Sequence, residues 1–131
     1  MTRRISVDEA REFFAHPSQW RSARPEQLPE TGFVYYASGP ICGVFHDMPW
    51  PRVIGAHCGV KPEGWGKLVP HAQEILAMVW ADFAPDVIVA WTPESNRPTL
   101  AFNRRVGFEI DGYLPTPERT VMQSWRPKCQ L

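Results

Sequence analysis

The sequence has no excess of charge of either sign and no long hydrophobic run. Its 131 residues hold 14 Lys and Arg against 14 Asp and Glu, so the formal net charge is zero, whereas nucleic-acid-binding domains usually carry a basic excess. No apolar segment approaches the ~20 residues of a membrane-spanning helix. The arginines near the N-terminus precede no apolar segment of the kind found in signal peptides. We therefore expect neither a nucleic-acid partner nor a membrane partner.

Cysteine is also scarce. The three residues, Cys42, Cys58 and Cys129, are odd in number and widely spaced, which predicts reduced thiols in a cytoplasmic protein. Together with His46 and His57, the first two resemble a zinc set, but neither a C-x-x-C nor an H-x-x-x-H spacing occurs. We expect no metal site.

Length and composition instead indicate one globular domain over residues 1–131. Hydrophobic residues make up 44% and charged residues 21%, which is ordinary for such a domain. The 14 prolines are scattered, as is typical of turns. The six tryptophans are interpreted as core and rim residues.

Local patterns predict the order helix, three strands, helix, strand, helix, two strands. A capping box, Ser6 with Glu9 three residues later, begins the first helix, which we expect to reach about Ala15. β-branched and aromatic runs predict strands over residues 32–37, 41–46, 53–60, 87–91, 108–110 and 121–125. This order predicts a mixed sheet with helices packed on it, an α/β or α+β fold.

Two further helices follow from apolar periodicity and capping residues. An apolar stripe of Ala72, Ile75, Leu76, Val79, Trp80 and Phe83 recurs at helical spacing. Asn96 and Gly107 are placed to cap the two ends of the last helix.

A glycine-containing loop joins the third predicted strand to the second helix. It contains Gly64-Trp65-Gly66-Lys67, and glycines at such a junction expose backbone N–H groups that, with the helix start, suit a phosphate. A Walker loop would need Ser or Thr where Leu68 stands, and a dinucleotide fingerprint would need glycine where Val69 stands. An anion site of another type and a plain glycine turn both remain open.

The C-terminal half carries a longer pattern. It runs Glu94-Ser95-Asn96-Arg97-Pro98-Thr99-Leu100-Ala101-Phe102-Asn103-Arg104-Arg105-Val106-Gly107-Phe108-Glu109-Ile110-Asp111-Gly112. This segment resembles the signature of the GNAT superfamily of N-acetyltransferases: a strand, Asn, a helix, Gly-Phe, and a strand with a central glycine. Val60-x-Pro62 and Gly64-Trp65-Gly66 resemble that family's fourth strand end and acetyl-coenzyme A loop, with Lys61 at the Q/R position.

The resemblance covers about residues 32–114. Short acetyltransferases of phages and bacteria, and the ribosomal-protein N-acetyltransferases more generally, look most similar. It implies a GNAT-like mixed, mostly antiparallel central sheet flanked by helices.

The resemblance also implies a cofactor site for acetyl-CoA as cosubstrate, with no metal. The pyrophosphate would lie on the amides of residues 64–68, and pantetheine would pair with the edge of the 53–60 strand. A backbone N–H near Val60 would polarise the thioester carbonyl. The implied cofactor-binding residues are Val60, Lys61, Gly64, Trp65, Gly66, Lys67, Leu68, Asn96, Arg97 and Phe102. Asn96 as a helix cap alone, and Arg97 as a solvated residue, are structural alternatives.

Three residues are candidates for catalysis. His57 has the ordinary pKa of a general base, Glu94 is an acidic candidate for amine deprotonation, and Asn103 stands where many family members carry a tyrosine general acid. A structural strand histidine and a solvated surface carboxylate are the alternatives for the first two. Asparagine cannot deliver a proton at pH 7. The glycine loop also departs from the family's pattern, because it is shorter and less basic than the usual acetyl-coenzyme A loop.

The sequence therefore predicts an acetyl-CoA-dependent N-acetyltransferase acting on an unidentified primary amine of a small molecule or a protein, by direct attack. The short loop and Asn103 motivate an alternative, a catalytically degenerate GNAT-fold binding or interaction module, or an acyl-CoA sensor. Exposed aromatic residues would favour a homodimer.

Overall fold

The computed structural model describes residues 1–128, and Cys129 lies outside them. In this part of the chain, seven strands form one sheet flanked by α-helices. The strands are β1 (Arg3–Ile5), β2 (Phe33–Ser38), β3 (Ile41–Asp47), β4 (Val53–Val60), β5 (Val87–Pro93), β6 (Glu109–Leu114) and β7 (Thr120–Trp125). The helices are α1 (Val7–Arg11), α2 (Val69–Phe83) and α3 (Arg97–Val106).

The strands lie side by side in the order β1-β2-β3-β4-β5-β7-β6. Every neighbouring pair is antiparallel except β4 and β5, which are parallel. The mixed, mostly antiparallel sheet flanked by helices is therefore confirmed.

The N-terminal segment differs from its prediction. β1 pairs with β2, which the sequence did not indicate because three residues are too few to show alternation. The helix expected to reach Ala15 is only α1, followed by a 3₁₀ turn over Glu12–Phe14. Ser6 Oγ caps it by accepting from Glu9 N–H at 3.2 Å. The Glu9 carboxylate accepts instead from Arg3 at 2.7 Å, so only half of the predicted capping box forms.

The ends of the two longer helices explain two further differences. Phe83 is 43% exposed, so its place in the buried stripe is wrong; the chain leaves the helix directly afterwards at Ala84, whose φ is 45°. Asn96 occupies the N-cap position of α3, but its side chain makes no capping hydrogen bond. Gly107, with φ 123°, ends α3 as predicted.

The sheet separates two hydrophobic clusters. One face packs against α2 and α3, and the other (the α1 face) packs against α1 and the turn that follows it. Because side chains alternate along a strand, Cys58 and Val60 of β4 belong to the α2 cluster. His57 and Gly59 lie on the α1 face, where a side chain at position 59 would collide with the buried ring of Phe14.

β4 and β5 separate after a short paired stretch. Their pairing covers Val53↔Val87, Ile54↔Ile88 and Gly55↔Val89, after which β4 continues to Val60 and β5 to Pro93. The two strands therefore diverge toward the glycine loop and leave facing main-chain edges outside the sheet's hydrogen-bond ladder.

Candidate functional site

The space between the diverging strands is a cavity of about 440 Å³, here called the central cavity. β4, β5, α2 and α3 form its walls, and residues 18–22 cover one side. Its wall is largely apolar, with polar groups supplied by Gln19, Arg21, His57, Asn96 and Asn103. Of the described residues that line it, none is an Asp or Glu, so the site presents donors and an imidazole without a carboxylate.

The β4 amide expected to meet a thioester is already used. Val60 N–H donates to Gln19 Oε1 at 3.0 Å. The Gln19 carboxamide is held in turn by its Nε2, which donates to Ser18 Oγ at 3.1 Å. Trp20 anchors the same segment by donating from Nε1 to the Phe14 carbonyl at 3.1 Å. An internal carbonyl thus lies where the resemblance implies a cofactor carbonyl.

The glycine loop also uses part of its donor set internally. A 3₁₀ turn over Pro62–Gly64 directs the amides of Gly64, Trp65 and Lys67 onto carbonyls of the loop itself at 2.9–3.2 Å. The amides of residues 66, 68, 69 and 71 make no hydrogen bond within residues 1–128. The open donors therefore lie at the start of α2, the end of a helix that favours anions, and extend beyond the predicted range 64–68.

The two glycines of this loop have different physical roles. Gly64 is buried against the β2–β3 turn, and a Cβ there would lie 2.2 Å from Pro40 Cγ. Gly66 has φ 88° with nothing near its missing side chain. Close packing therefore requires the first glycine and a left-handed backbone requires the second.

Some predicted cofactor residues face away from the central cavity. Lys61, Gly64 and Lys67 line a separate concavity of about 390 Å³ beside the β2–β3 turn, together with His71. The sequence could not distinguish the two surfaces, because it does not show on which side of the loop each residue lies.

His57 is the imidazole of the central cavity. Its Nε2 lies 3.0 Å from His46 Nε2 of β3. His57 is exposed, yet partial desolvation by the surrounding protein, and secondly the neighbouring His46, lower the pKa of its imidazole below the ordinary 6.5. The neutral form is therefore favoured at pH 7. Cys58 points to the opposite face, and burial raises the pKa of its thiol to about 11. Because neighbouring side chains of a strand alternate between faces, His57 and Cys58 do not form a Cys–His nucleophile pair.

The other catalytic candidates have partners of their own. Asn103 is buried and donates from Nδ2 to Gln123 Oε1 at 3.0 Å, linking α3 to β7. Glu94 pairs with Arg119 at 2.8 Å, measured to Nε, and is not among the residues that line the cavity. Arg97 is exposed at the start of α3 and is likewise outside it.

Comparison with known proteins rests on structure alone. No protein-family model matches the chain, and neither does any curated protein sequence. A GNAT-family acetyltransferase from Bacillus anthracis superposes with a TM-score of 0.70 at 13% identity, over 95% of this chain and 92% of that one. The chain has the GNAT acetyltransferase fold.

Two further GNAT-fold structures extend the comparison. Aminoglycoside acetyltransferase AAC(6')-Ib, in complex with coenzyme A and kanamycin, gives a TM-score of 0.73 at 14% identity over 95% of this chain and 93% of that one. Spermidine N-acetyltransferase SpeG from Vibrio cholerae gives 0.70 at 11% identity over 95% and 93%. At these identities the likeness concerns the fold.

Within this GNAT fold the predicted residues fall into two groups. Those that line the central cavity are His57, Val60, Trp65, Leu68, Asn96, Phe102 and Asn103. Those outside it are Lys61, Gly64, Gly66, Lys67, Glu94 and Arg97. Gln19 and Arg21 were not identified from sequence, and His46 was considered only as part of a zinc set, because no spacing or motif connects these residues to an acetyl-transfer site on β4.

Two absences complete the description of residues 1–128. No helix there is both long and apolar enough to cross a membrane. No group of three or more His, Cys, Asp and Glu side chains in that range is arranged to hold a metal ion.

Proposed function

We propose that this chain is an N-acetyltransferase that uses acetyl-CoA to acetylate a primary amine by direct attack. The observation that carries the proposal is the divergence of β4 from β5 around the central cavity, which leads to the open amides at the start of α2. AAC(6')-Ib, which shares the fold, has been solved with coenzyme A.

The residues present fit this cosubstrate. The amides of Gly66, Leu68 and Val69 would receive the pyrophosphate, since they have no internal acceptor. The diverging edge of β4 would pair with pantetheine as an added strand does. Asn96 lines the cavity with a side chain that α3 does not use for capping, so it is available to the same ligand.

The chain's own groups then serve the transfer. His57 takes a proton from the attacking ammonium group, which needs the neutral imidazole that its lowered pKa provides. Val60 N–H polarises the thioester carbonyl once Gln19 has moved away. The two tyrosines of β2 use their hydroxyls elsewhere: Tyr35 donates to the Pro29 carbonyl and Tyr36 donates to Asp82.

No tyrosine is among the described residues that line the cavity. We infer that the departing thiolate takes its proton from solvent and that Asn103, fixed by Gln123, has a structural role.

Calorimetric titration with acetyl-CoA and turnover with a panel of amines test the proposal. We expect saturable binding that Gly66→Pro abolishes, because proline cannot adopt φ 88°. Gly32→Pro is the matched control, a second glycine of positive φ (79°) in open space outside the cavity. No binding at millimolar acetyl-CoA contradicts the proposal.

A GNAT-fold binding module without chemistry is the second candidate. The occupied Val60 amide and the asparagine at position 103 favour it. Binding of acetyl-CoA without acetylation of any amine would support this candidate, and tighter binding of butyryl-CoA than acetyl-CoA would identify an acyl-CoA sensor.

A further inference from the structure

Two histidines on adjacent strands form a pair beside the central cavity. The register Val44↔His57 and His46↔Gly55 places the two rings diagonally on the α1 face. Their centroids are 5.1 Å apart with planes 14° from parallel, and the two Nε2 atoms are 3.0 Å apart. Gly55 makes the pair possible, because a Cβ there would lie 2.7 Å from His46 Nε2.

The hydrogen bonds determine which nitrogen carries each proton. His46 Nδ1 lies 3.0 Å from the Asp47 carbonyl oxygen, and a carbonyl only accepts, so Nδ1 bears the hydrogen. Neutral His46 therefore has its lone pair on Nε2. His57 must then donate from Nε2, and its own lone pair is on Nδ1.

This assignment gives the two histidines different roles. His57 lines the central cavity and His46 does not. We propose that His46 is a positioning and proton-relay residue for His57, the base of the proposed function on which this inference rests. His57 Nδ1 takes one proton from the substrate ammonium, which becomes the attacking amine, and His57 Nε2–H passes one proton to His46 Nε2.

The charge balance around the pair is simple. His46 becomes the cation, held by the Asp47 carbonyl through Nδ1–H. Both side chains reach solvent, since His57 is exposed and His46 is partly buried, so His46 can return the proton to water. Phe33 of β2 covers its ring at 4.8 Å between centroids. The Asp47 carboxyl, next to His46 on β3, is exposed, and Arg21 lines the same cavity as His57.

Nitrogen-15 NMR of the histidine side chains tests the assignment without any turnover. When both rings are neutral, we expect His46 as the Nδ1–H tautomer and His57 as the Nε2–H tautomer. Asp47→Asn is the control, since it removes the side-chain charge but keeps the backbone carbonyl, and it should leave both tautomers unchanged. An Nδ1–H tautomer at His57, or stoichiometric Zn²⁺ binding by the two imidazoles, overturns the proposal.

The relay itself is tested with His46→Gln. Glutamine can accept from His57 Nε2–H but cannot take its proton, and it removes the neighbouring imidazole that contributes to the lowered pKa of His57. We expect the acid limb of kcat/KM to move up in pH toward 6.5 and kcat to fall about tenfold with KM for the amine unchanged. His57→Gln should cost at least about a hundredfold.

An unchanged pH profile in His46→Gln contradicts the relay. If His46 had only a structural role, the substitution would lower stability without shifting the pH profile. If the tautomers are as expected but the protein acetylates no amine, the proposed function is refuted, and the relay with it. The hydrogen-bonded histidine pair would then still stand.

Discussion

The hydrogen bond from Val60 N–H to Gln19 leads to a prediction in which affinity and stability change in opposite directions. Gln19 must leave this amide before a ligand carbonyl can use it. A hydrogen bond of this kind contributes about 0.5–1.5 kcal/mol net. Gln19→Ala should therefore tighten acetyl-CoA binding by about two- to twelvefold.

The same substitution should destabilise the free protein. Val60 is only 7% exposed, so an amide without its acceptor costs about 1–3 kcal/mol. The Tm of the free variant should fall, and saturating acetyl-CoA should recover most of the difference. Gln19→Glu should weaken binding, because a carboxylate accepts more strongly and repels the phosphates of the cosubstrate.

Titration calorimetry and thermal unfolding measure the two effects on the same samples. Gln27→Ala is the matched control: its Oε1 accepts from Arg24 N–H at 2.8 Å in a neighbouring 3₁₀ turn that does not line the cavity. It should lower stability and leave affinity unchanged. Equal or weaker binding by Gln19→Ala would show that Val60 N–H takes no part in ligand binding.

Three other outcomes are expected. Gly64→Ala should lower the unfolding free energy by about 1–3 kcal/mol, because the added Cβ collides with the β2–β3 turn. Gly66→Ala should lower it by about 1–2 kcal/mol from its backbone conformation alone. Denaturant titration measures both losses, and asparagine should recover stability at position 66 but not at position 64, which distinguishes the two causes. In a Cys129→Ser background, Cys58 should react with iodoacetamide at pH 8 about a hundredfold more slowly than an ordinary thiol, because its pKa is about 11 instead of 9.0. A reaction rate equal to that of a free thiol contradicts the raised pKa. Asn103→Leu should cost about 1–3 kcal/mol by leaving Gln123 Oε1 without its donor, while Gln123 Nε2 keeps the Leu100 carbonyl. A kcat that falls while the unfolding free energy is unchanged would instead indicate a chemical role for Asn103.

The pKa of His57 gives the direction of the pH effect on folding. Because burial and His46 lower it in the folded state, the unfolded chain binds more protons as the pH falls below 6.5. This histidine therefore reduces stability progressively toward acid pH. His57→Gln should flatten that part of the stability profile in denaturant titrations between pH 7 and 5.

Local spacing determined much of this protein. The hairpin of β2 and β3, the apolar run of β5, the glycine end of α3 and the glycine loop before α2 could each be predicted, because turns, caps and periodicity act over a few residues. The Asn96-to-Gly112 pattern also indicated the correct fold, and β1 was missed because it is short.

Only the tertiary structure decided what surrounds the site. The acceptor for Val60 comes from Gln19, 41 residues earlier in the chain, and the partner of His57 comes from the neighbouring strand. Gly64 and Gly66 look alike in sequence, yet they are required for different reasons. Contact with Pro40 leaves no room for a side chain at position 64, whereas position 66 needs glycine because of its positive φ. These relations depend on packing between distant segments, for which the local sequence carries no signal.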